Sequence, residues 1–547
     1  MNYDRYVKYV LLPSTLVSLT YILLLFIVLK SLARIFGLYS FLLFIIPIFI
    51  IIIALLYPRI LKSRKKKEIE DNIHFYITHL GALATSEVDR KEMMKILSEK
   101  REYKALAEET RKIYLLVDKW NKSLAQACRF VAKRTPSKIF ADFLDRMAHE
   151  LDSGVDFREF IMREQEVVMN SFVNLYQGKL YSIDIFKEIY VSITLSLSFF
   201  SAFAIIAPFL TGIDVTVILS IIVIFFIIVE IGVLIYLKAV APSDPVWQTS
   251  GELTKIDLKI YKAFYICCIL CLIVFTILLS LSFVYRIITI PPSFIISLTI
   301  TPLIVPGIIS RKAESLIKDK DRNAPSFLMS LGTSASARGG NILETLKFLT
   351  AHDFGSLTSD IKALYKRLCT RLNKKRAWEK FSIDTGSNLI YRFTSMFVEA
   401  INLGSDPKDV AKIVAKNFII INNLRERRDR CASSFIGICY GIIIGIAFSM
   451  YVSVGVVEAM NKIYSTLQLP SGFLGRLLHT VPQIDIAYLH IAVLFILFFH
   501  AAMASIAIKI IDGGRWMSGF IHFVGMTWFA TIVGYVSQVV IMYLLGI

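Results

Sequence analysis

Charge is scarce in this chain. Asp, Glu, Lys and Arg make up only 19% of its 547 residues, against 55% hydrophobic. That balance excludes an ordinary soluble domain and points to a membrane protein. Cysteine is also sparse, with seven residues, an odd number spread along the chain, so no disulfide framework is expected. The run Cys267 to Cys271 (CCILC) opens an apolar stretch and has no His or second Cys pair beside it. It reads as small apolar filler rather than a metal site. Catalytic signatures are missing as well. No Gly-x-x-x-x-Gly-Lys precedes a Ser or Thr, and SARGGN (Ser336 to Asn341) lacks both the lysine and a preceding strand. Nucleotide hydrolysis by a phosphate-binding loop is therefore excluded, as are zinc-peptidase and nucleophile-elbow chemistries, whose motifs do not occur. Strand patterns are few. No small-residue cleavage site follows the first apolar run, so a cleavable signal peptide is not expected.

What the chain has is long apolar runs. Nine reach spanning length, at roughly 10–30, 38–57, 189–211, 214–237, 264–285, 289–309, 433–457, 486–508 and 518–546. They predict an all-α polytopic membrane protein with about nine transmembrane helices, most of them paired as hairpins. Two polar segments lie between them and read as helical bundles. The expected organisation is a transmembrane hairpin over 1–57, a first bundle over 58–188 and four spans over 189–309 with a short loop at 238–263. A second bundle over 310–432 and three spans over 433–547 complete it.

Charge location sets the orientation. Residues 58–188 carry 25 Lys/Arg against 21 Asp/Glu, and residues 310–432 carry 23 against 13. Placing both segments, the 238–263 loop and the N-terminus in the cytoplasm satisfies the positive-inside rule, helped by the flank Arg64 to Lys67. The C-terminus, Ile547, then falls outside. The net charge of +18 is mostly explained by topology, and no nucleic-acid partner is implied. The surplus in the second bundle is large enough to steer an acidic protein or bind anionic lipid.

The two bundles repeat each other at an offset of about 250. Leu80-Gly81 matches Leu331-Gly332, and Phe143 matches Phe393. Gly154 and Asp156 in DSGVDFREFIMR match Gly404 and Asp406 in LGSDPKDVAKIV. Gly404-Ser405-Asp406 lacks the glycine before Asp that an intramembrane aspartyl peptidase uses. The stretch reads as a turn: Gly404 to permit it, Asp406 to cap, Pro407 in the first helical position. Pro136, Pro325 and Pro407 are expected at element boundaries. Asp512, Gly513 and Gly514 read as a second turn with a helix N-cap before the last span. Glu230 lies inside the fourth apolar run. An ionisable group there is either functional or paired with another helix. His490, His500 and His522 share the last two spans.

This architecture, with Asn402 to Val414 (NLGSDPKDVAKIV) and Asp512 to Phe523 (DGGRWMSGFIHF), resembles the type II secretion F superfamily, the platform proteins of type IV pili, type II secretion and archaella. The nine-span layout is similar to the archaeal branch. The first bundle departs from the pattern, since SGVDF lacks the proline and TSEVD carries Glu87 and Val88 in place of a small-Gly turn. The resemblance implies a non-enzymatic platform in the cell membrane, without cofactor, partnered by a hexameric cytoplasmic secretion ATPase and by prepilin- or archaellin-like filament subunits. A homodimer is compatible with a platform that meets a six-fold motor. The ATPase-docking candidates are Arg371, Lys374, Lys375 and Arg376, then Arg425, Arg427, Arg428 and Arg430. The second group has an alternative reading as positive-inside anchoring. A transporter or channel is the competing function, and a Glu230 requirement for solute uptake would mark it.

Overall fold

The computed structural model describes residues 11–23, 45–211, 215–281, 291–370, 373–466 and 486–544. Within them the chain divides into two compact units, Met1–Ala84 with Val88–Val168, and Thr85–Glu87 with Met169–Ile547.

The first unit begins with a short apolar helix α1 (Leu12–Leu23) and α2 (Ile45–Glu70), whose apolar N-terminal half gives way to a basic stretch. After a break at Asp71–Asn72 the chain continues as α3 (Ile73–Ala84), buried at every position. Four short helices follow: α4 (Arg90–Glu99), α5 (Ala105–Asp118), α6 (Leu124–Ala132) and α7 (Lys138–Ser153). Caps fix the boundaries. The Asp89 side chain accepts from the Lys91 N–H and that of Ser123 from the Gln126 N–H. Gly154 closes α7 at φ +74°, a left-handed position that glycine takes without strain. Asp156 then accepts from the Glu159 N–H at 3.3 Å and starts α8 (Phe157–Thr211). The core is aromatic, with Tyr76, Phe140, Phe143 and Phe160 in successive ring contact. Cys128 is buried here, and burial pushes its thiol up, away from reactivity.

Ion pairs tie these helices together. Lys65 on α2 meets Glu109 early in α5 at 2.6 Å, and Lys91 at the start of α4 meets Asp118 at the end of α5 at 2.8 Å.

The second unit holds the remainder of α8, then α9 (Val215–Val240), α10 (Lys255–Leu279), α11 (Pro292–Ile300) and α12 (Ile304–Ala337). Its bundle helices are α13 (Ile342–Leu349), α14 (Thr358–Cys369), α15 (Lys374–Thr385) and α16 (Asn388–Asn402). Helices α17 (Pro407–Thr466), α18 (Ile486–Asp512) and α19 (Phe520–Leu544) complete it. Seven helices among the described residues are long and apolar enough to cross a membrane. They correspond to the last seven expected spans. The expected spans at 10–30 and 38–57, and Ile547, fall partly or wholly outside the described residues.

The four expected limits of the bundles, 57–58, 188–189, 309–310 and 432–433, lie inside α2, α8, α12 and α17, of which α8 and α17 run 55 and 60 residues. Pro325 sits within α12 rather than at its edge. A proline there frees the carbonyl four residues back. That group, the Asp321 carbonyl, accepts instead from Asn422 Nδ2 at 2.7 Å, so the helix continues without an orphaned acceptor.

The repeat has physical content. In each unit a glycine lets two helices close on one another. A methyl at Gly81 would overlap the Gln165 carboxamide, and one at Gly332 would overlap the Pro407 carbonyl and Ala411. In each unit, too, a serine opening a helix donates to a carboxylate, Ser137 to Glu70 at 3.5 Å and Ser387 to Asp321.

Candidate functional site

The densest polar cluster of the second unit is assembled around the segment between α9 and α10, residues 241–254. Asp244 at its start accepts a two-pronged contact from Arg425 on α17, Nε to Oδ2 at 2.6 Å and Nη2 to Oδ1 at 2.5 Å. The third nitrogen of the same guanidinium, Nη1, reaches Asp321 on α12 at 3.0 Å. One turn further along α17, Arg428 donates to three carbonyls, those of Asp244, Ile510 and Ile511. A planar donor fork matches such fixed acceptors, where lysine would not.

A second half of the cluster centres on Glu314 of α12. It accepts from the Trp247 indole at 3.1 Å, the Arg515 N–H at 2.7 Å and the Ser518 hydroxyl at 3.0 Å. Lys509 lies 3.4 Å from Glu314 and 2.7 Å from Asp512. Lys318 links Asp512 to Asp429 at 3.2 and 2.8 Å. Arg515 reaches Asp257 and lies over the Trp247 ring at 3.9 Å. Six carboxylates, Asp244, Asp257, Glu314, Asp321, Asp429 and Asp512, thus meet four cations, Lys318, Arg425, Lys509 and Arg515, and Arg428 joins them through main-chain carbonyls. Arg428 is 3% exposed, Asp321 3% and Asp257 1%. Near-neutrality and full pairing are what allow so many charges to leave water together.

Backbone bonds complete the junction. The Gln248 N–H donates to the Gly386 carbonyl at 2.8 Å and the Asn388 N–H to that of Val246 at 3.1 Å. The 241–254 segment is therefore stitched to the α15–α16 turn as well as to α12, α17 and the turn after α18. Val246, Trp247, Ile260, Ala313, Ile317 and Met517 pack an apolar cluster beside it. The arrangement holds no exposed nucleophile. What it can do is make the ends of apolar helices and the bundle helices move as one body.

The residues singled out from sequence fall in several places. Gly513 and Gly514 belong to the junction. A methyl at Gly513 would come within 2.6 Å of the Arg428 guanidinium, and one at Gly514 within 2.6 Å of the Glu314 carboxylate. Asp512 does not cap the N-terminus of a following helix; it is the last residue of α18, held there by Lys509 and Lys318. Gly404 takes φ +91°, Asp406 accepts from the Lys408 N–H at 3.1 Å and Pro407 opens α17.

The basic candidates separate by helix face. Arg425 and Arg428 point inward and are unavailable to a partner, because carboxylates and carbonyls from distant segments already occupy them. Arg427 and Arg430 are exposed. Lys374, Lys375 and Arg376 are exposed in the first turn of α15. Arg371 lies outside the described residues.

Glu230 on α9 is 2% exposed and meets His500 of α18 at 2.7 Å. A second pair, Glu458 with His490, also 2.7 Å apart and joined by Gln538, holds α18 to α17. Glu458 was not legible as a partner because it stands just past the end of its apolar run. Replacing Glu230 by Leu is expected to cost about 1–3 kcal/mol, the desolvation of a stranded buried imidazole. Glu230→Gln, which can still hydrogen-bond, should stay within about 1 kcal/mol of the parent. Thermal unfolding in lipid nanodiscs distinguishes the two.

The segment 241–254 was missed as a site because it registered only as a charge balance. The signal was there: Ser243-Asp244-Pro245 repeats the Ser405-Asp406-Pro407 triplet, and a Trp follows it in a short connection between two apolar runs.

Comparison with known proteins places these features in context. The family described as type II secretion system (T2SS), protein F, matches residues 76–205. Flagella accessory protein J of Methanocaldococcus jannaschii is 36% identical over 546 residues, covering 99% of this chain and 96% of that protein. Flagella accessory protein J of Methanococcus voltae is 38% identical over 541 residues, covering 98% and 96%. No solved structure matches.

Proposed function

Since this chain belongs to the family of flagella accessory protein J, and is on that account a multi-pass membrane platform protein of archaellum or type IV filament machinery, we propose that it docks a hexameric cytoplasmic ATPase and couples the motion of that motor to assembly of archaellin- or prepilin-like subunits. The observation that carries the coupling is the buried junction. Helices α12 and α17 of the second bundle share one ion network with the segments that end α9 and α18 and begin α10, and a backbone hydrogen bond from Asn388 to Val246 adds α16. A push on the bundle therefore reaches the spans without crossing a flexible linker. We place both bundles and the N-terminus in the cytoplasm on the positive-inside rule, and the role is non-enzymatic.

Docking is assigned to Lys374, Lys375 and Arg376. Three cations in the first turn of α15 oppose the positive end of the helix dipole, at about 0.3–1 kcal/mol each. The fold gains nothing from that placement, which favours a role toward an acidic partner surface. Lys374→Glu/Lys375→Glu/Arg376→Glu should abolish filaments and reduce co-sedimentation of the purified ATPase with proteoliposomes at least about tenfold, while the protein still reaches the membrane. Binding equal to the parent would remove these residues from the docking site.

A further inference from the structure

We infer that α17 and α19 hold one water molecule between them, in a site made of the hydroxyls of Tyr451, Thr527 and Thr531.

Three apolar helices bring hydroxyls to one small cavity. Ser293 of α11, Tyr451 of α17, and Thr527 and Thr531 of α19 line about 20 Å³, together with Leu497 of α18 and Ala530. A water needs about 10–15 Å³ of such space and two to four polar partners. The volume therefore suits a single molecule and no larger ligand. Among the described residues, none that lines the cavity is charged, so a cation finds no carboxylate to meet there.

Counting protons sets how the molecule sits. The Thr527 hydroxyl donates to the Phe523 carbonyl at 2.8 Å. Ser297 gives its proton to the Ser293 carbonyl at 3.0 Å and lies 2.6 Å from the Thr531 hydroxyl, so the proton in that second contact is the threonine's. Both threonine oxygens then keep lone pairs but no free proton. They stand four residues apart on one face of α19, about 6 Å along its axis. A water between them donates one hydrogen bond to each. Its own oxygen then takes a proton from Tyr451, which is 4% exposed. A phenol is carried too far from its backbone to bond back onto its own turn, as threonine does. Ser293 lies beside that phenol, and a hydroxyl that accepts from serine still has its own proton to give. Three hydrogen bonds result, the usual number for a buried water.

Packing holds the phenol in place. A methyl at Gly534 would come within 2.4 Å of the Tyr451 ring, so the ring lies against α19 where glycine leaves room. The His490 ring of α18 stands 6.2 Å from it. The bound molecule thus ties the long rod of α17 to α19 through exchangeable hydrogen bonds as well as through interlocked side chains.

X-ray hydroxyl-radical footprinting of the full-length protein in nanodiscs tests the site, since the radicals form from water. Corrected for intrinsic reactivity, Leu497 (5% exposed) should be oxidised at least about tenfold faster than Ile446 (0%), which lies away from the cavity on α17. After rapid mixing into heavy-oxygen water, the label should enter Tyr451 later than Tyr543, which is 85% exposed. Thr527→Val/Thr531→Val keeps the side-chain shape and removes both acceptors. It should lower oxidation of Tyr451 and Leu497 at least about fivefold, and Tyr451→Phe should do the same for Leu497. Leu497 oxidised no faster than Ile446 in the parent overturns the inference, because the cavity is then dry. Simultaneous entry of label at Tyr451 and Tyr543 also overturns it, showing access from bulk water. So does parent-level oxidation of Leu497 in both variants.

Discussion

Arg425→Leu is expected to destabilise the protein by about 3–5 kcal/mol, the effect of leaving buried carboxylates without their cation. Asp244 and Asp321 would both lose the guanidinium that bridges them. Thermal unfolding in nanodiscs reads the loss, and filament assembly should fail with it. Replacing the whole set together, Asp244→Asn/Asp321→Asn/Arg425→Leu, should recover at least half of the stability, because no uncompensated charge remains. Filaments should stay absent in that triple variant, because the charged tie from α12 and α17 to the 241–254 segment through Asp321, Arg425 and Asp244 is gone. A loss below about 1 kcal/mol for Arg425→Leu would mean that water reaches the carboxylates and that the junction is not the rigid element described above.

The second large effect concerns Gly332. Its added methyl would meet a backbone carbonyl, that of Pro407, and a Cβ on a neighbouring helix, neither of which can swing aside. Gly332→Ala should cost about 3 kcal/mol through overpacking of α12 against α17. Gly81, its counterpart in the first unit, faces the end of a Gln165 side chain instead. Gly81→Ala should cost only about 1 kcal/mol, since that side chain can move and gives up one hydrogen bond to the Ile77 carbonyl. Parallel thermal melts of the two variants test the contrast. Equal losses would show that the clash is relieved by helix movement in both units.

The helical class and seven of the apolar spans could be read from the chain, because each rests on local periodicity. The Gly81 and Gly332 match was visible as a match, but its reason, close helix approach, needs the partner helix in place. The ion junction was harder. Its members come from segments up to 258 residues apart, as with Arg515 and Asp257, and each reads alone as an ordinary charged flank. RERRDR (Arg425 to Arg430) shows the limit most plainly. Periodicity says that Arg425 and Arg428 share a face and Arg427 and Arg430 another. Which face turns inward is decided by Asp244, 181 positions away. Glu230 could be recognised as needing a partner, since an ionisable group in an apolar run is costly. That the partner is His500 rests on the packing of α9 against α18.

The uninterrupted course of α17 has a mechanical meaning. Sixty residues of helix make a rod about 90 Å long, and its only proline is the first residue. If such a rod tilts about its midpoint by roughly 5°, each end sweeps about 4 Å, the width of a small side chain. The stroke delivered at one end is thus set by lever geometry rather than by local rearrangement, and no joint along the way absorbs it.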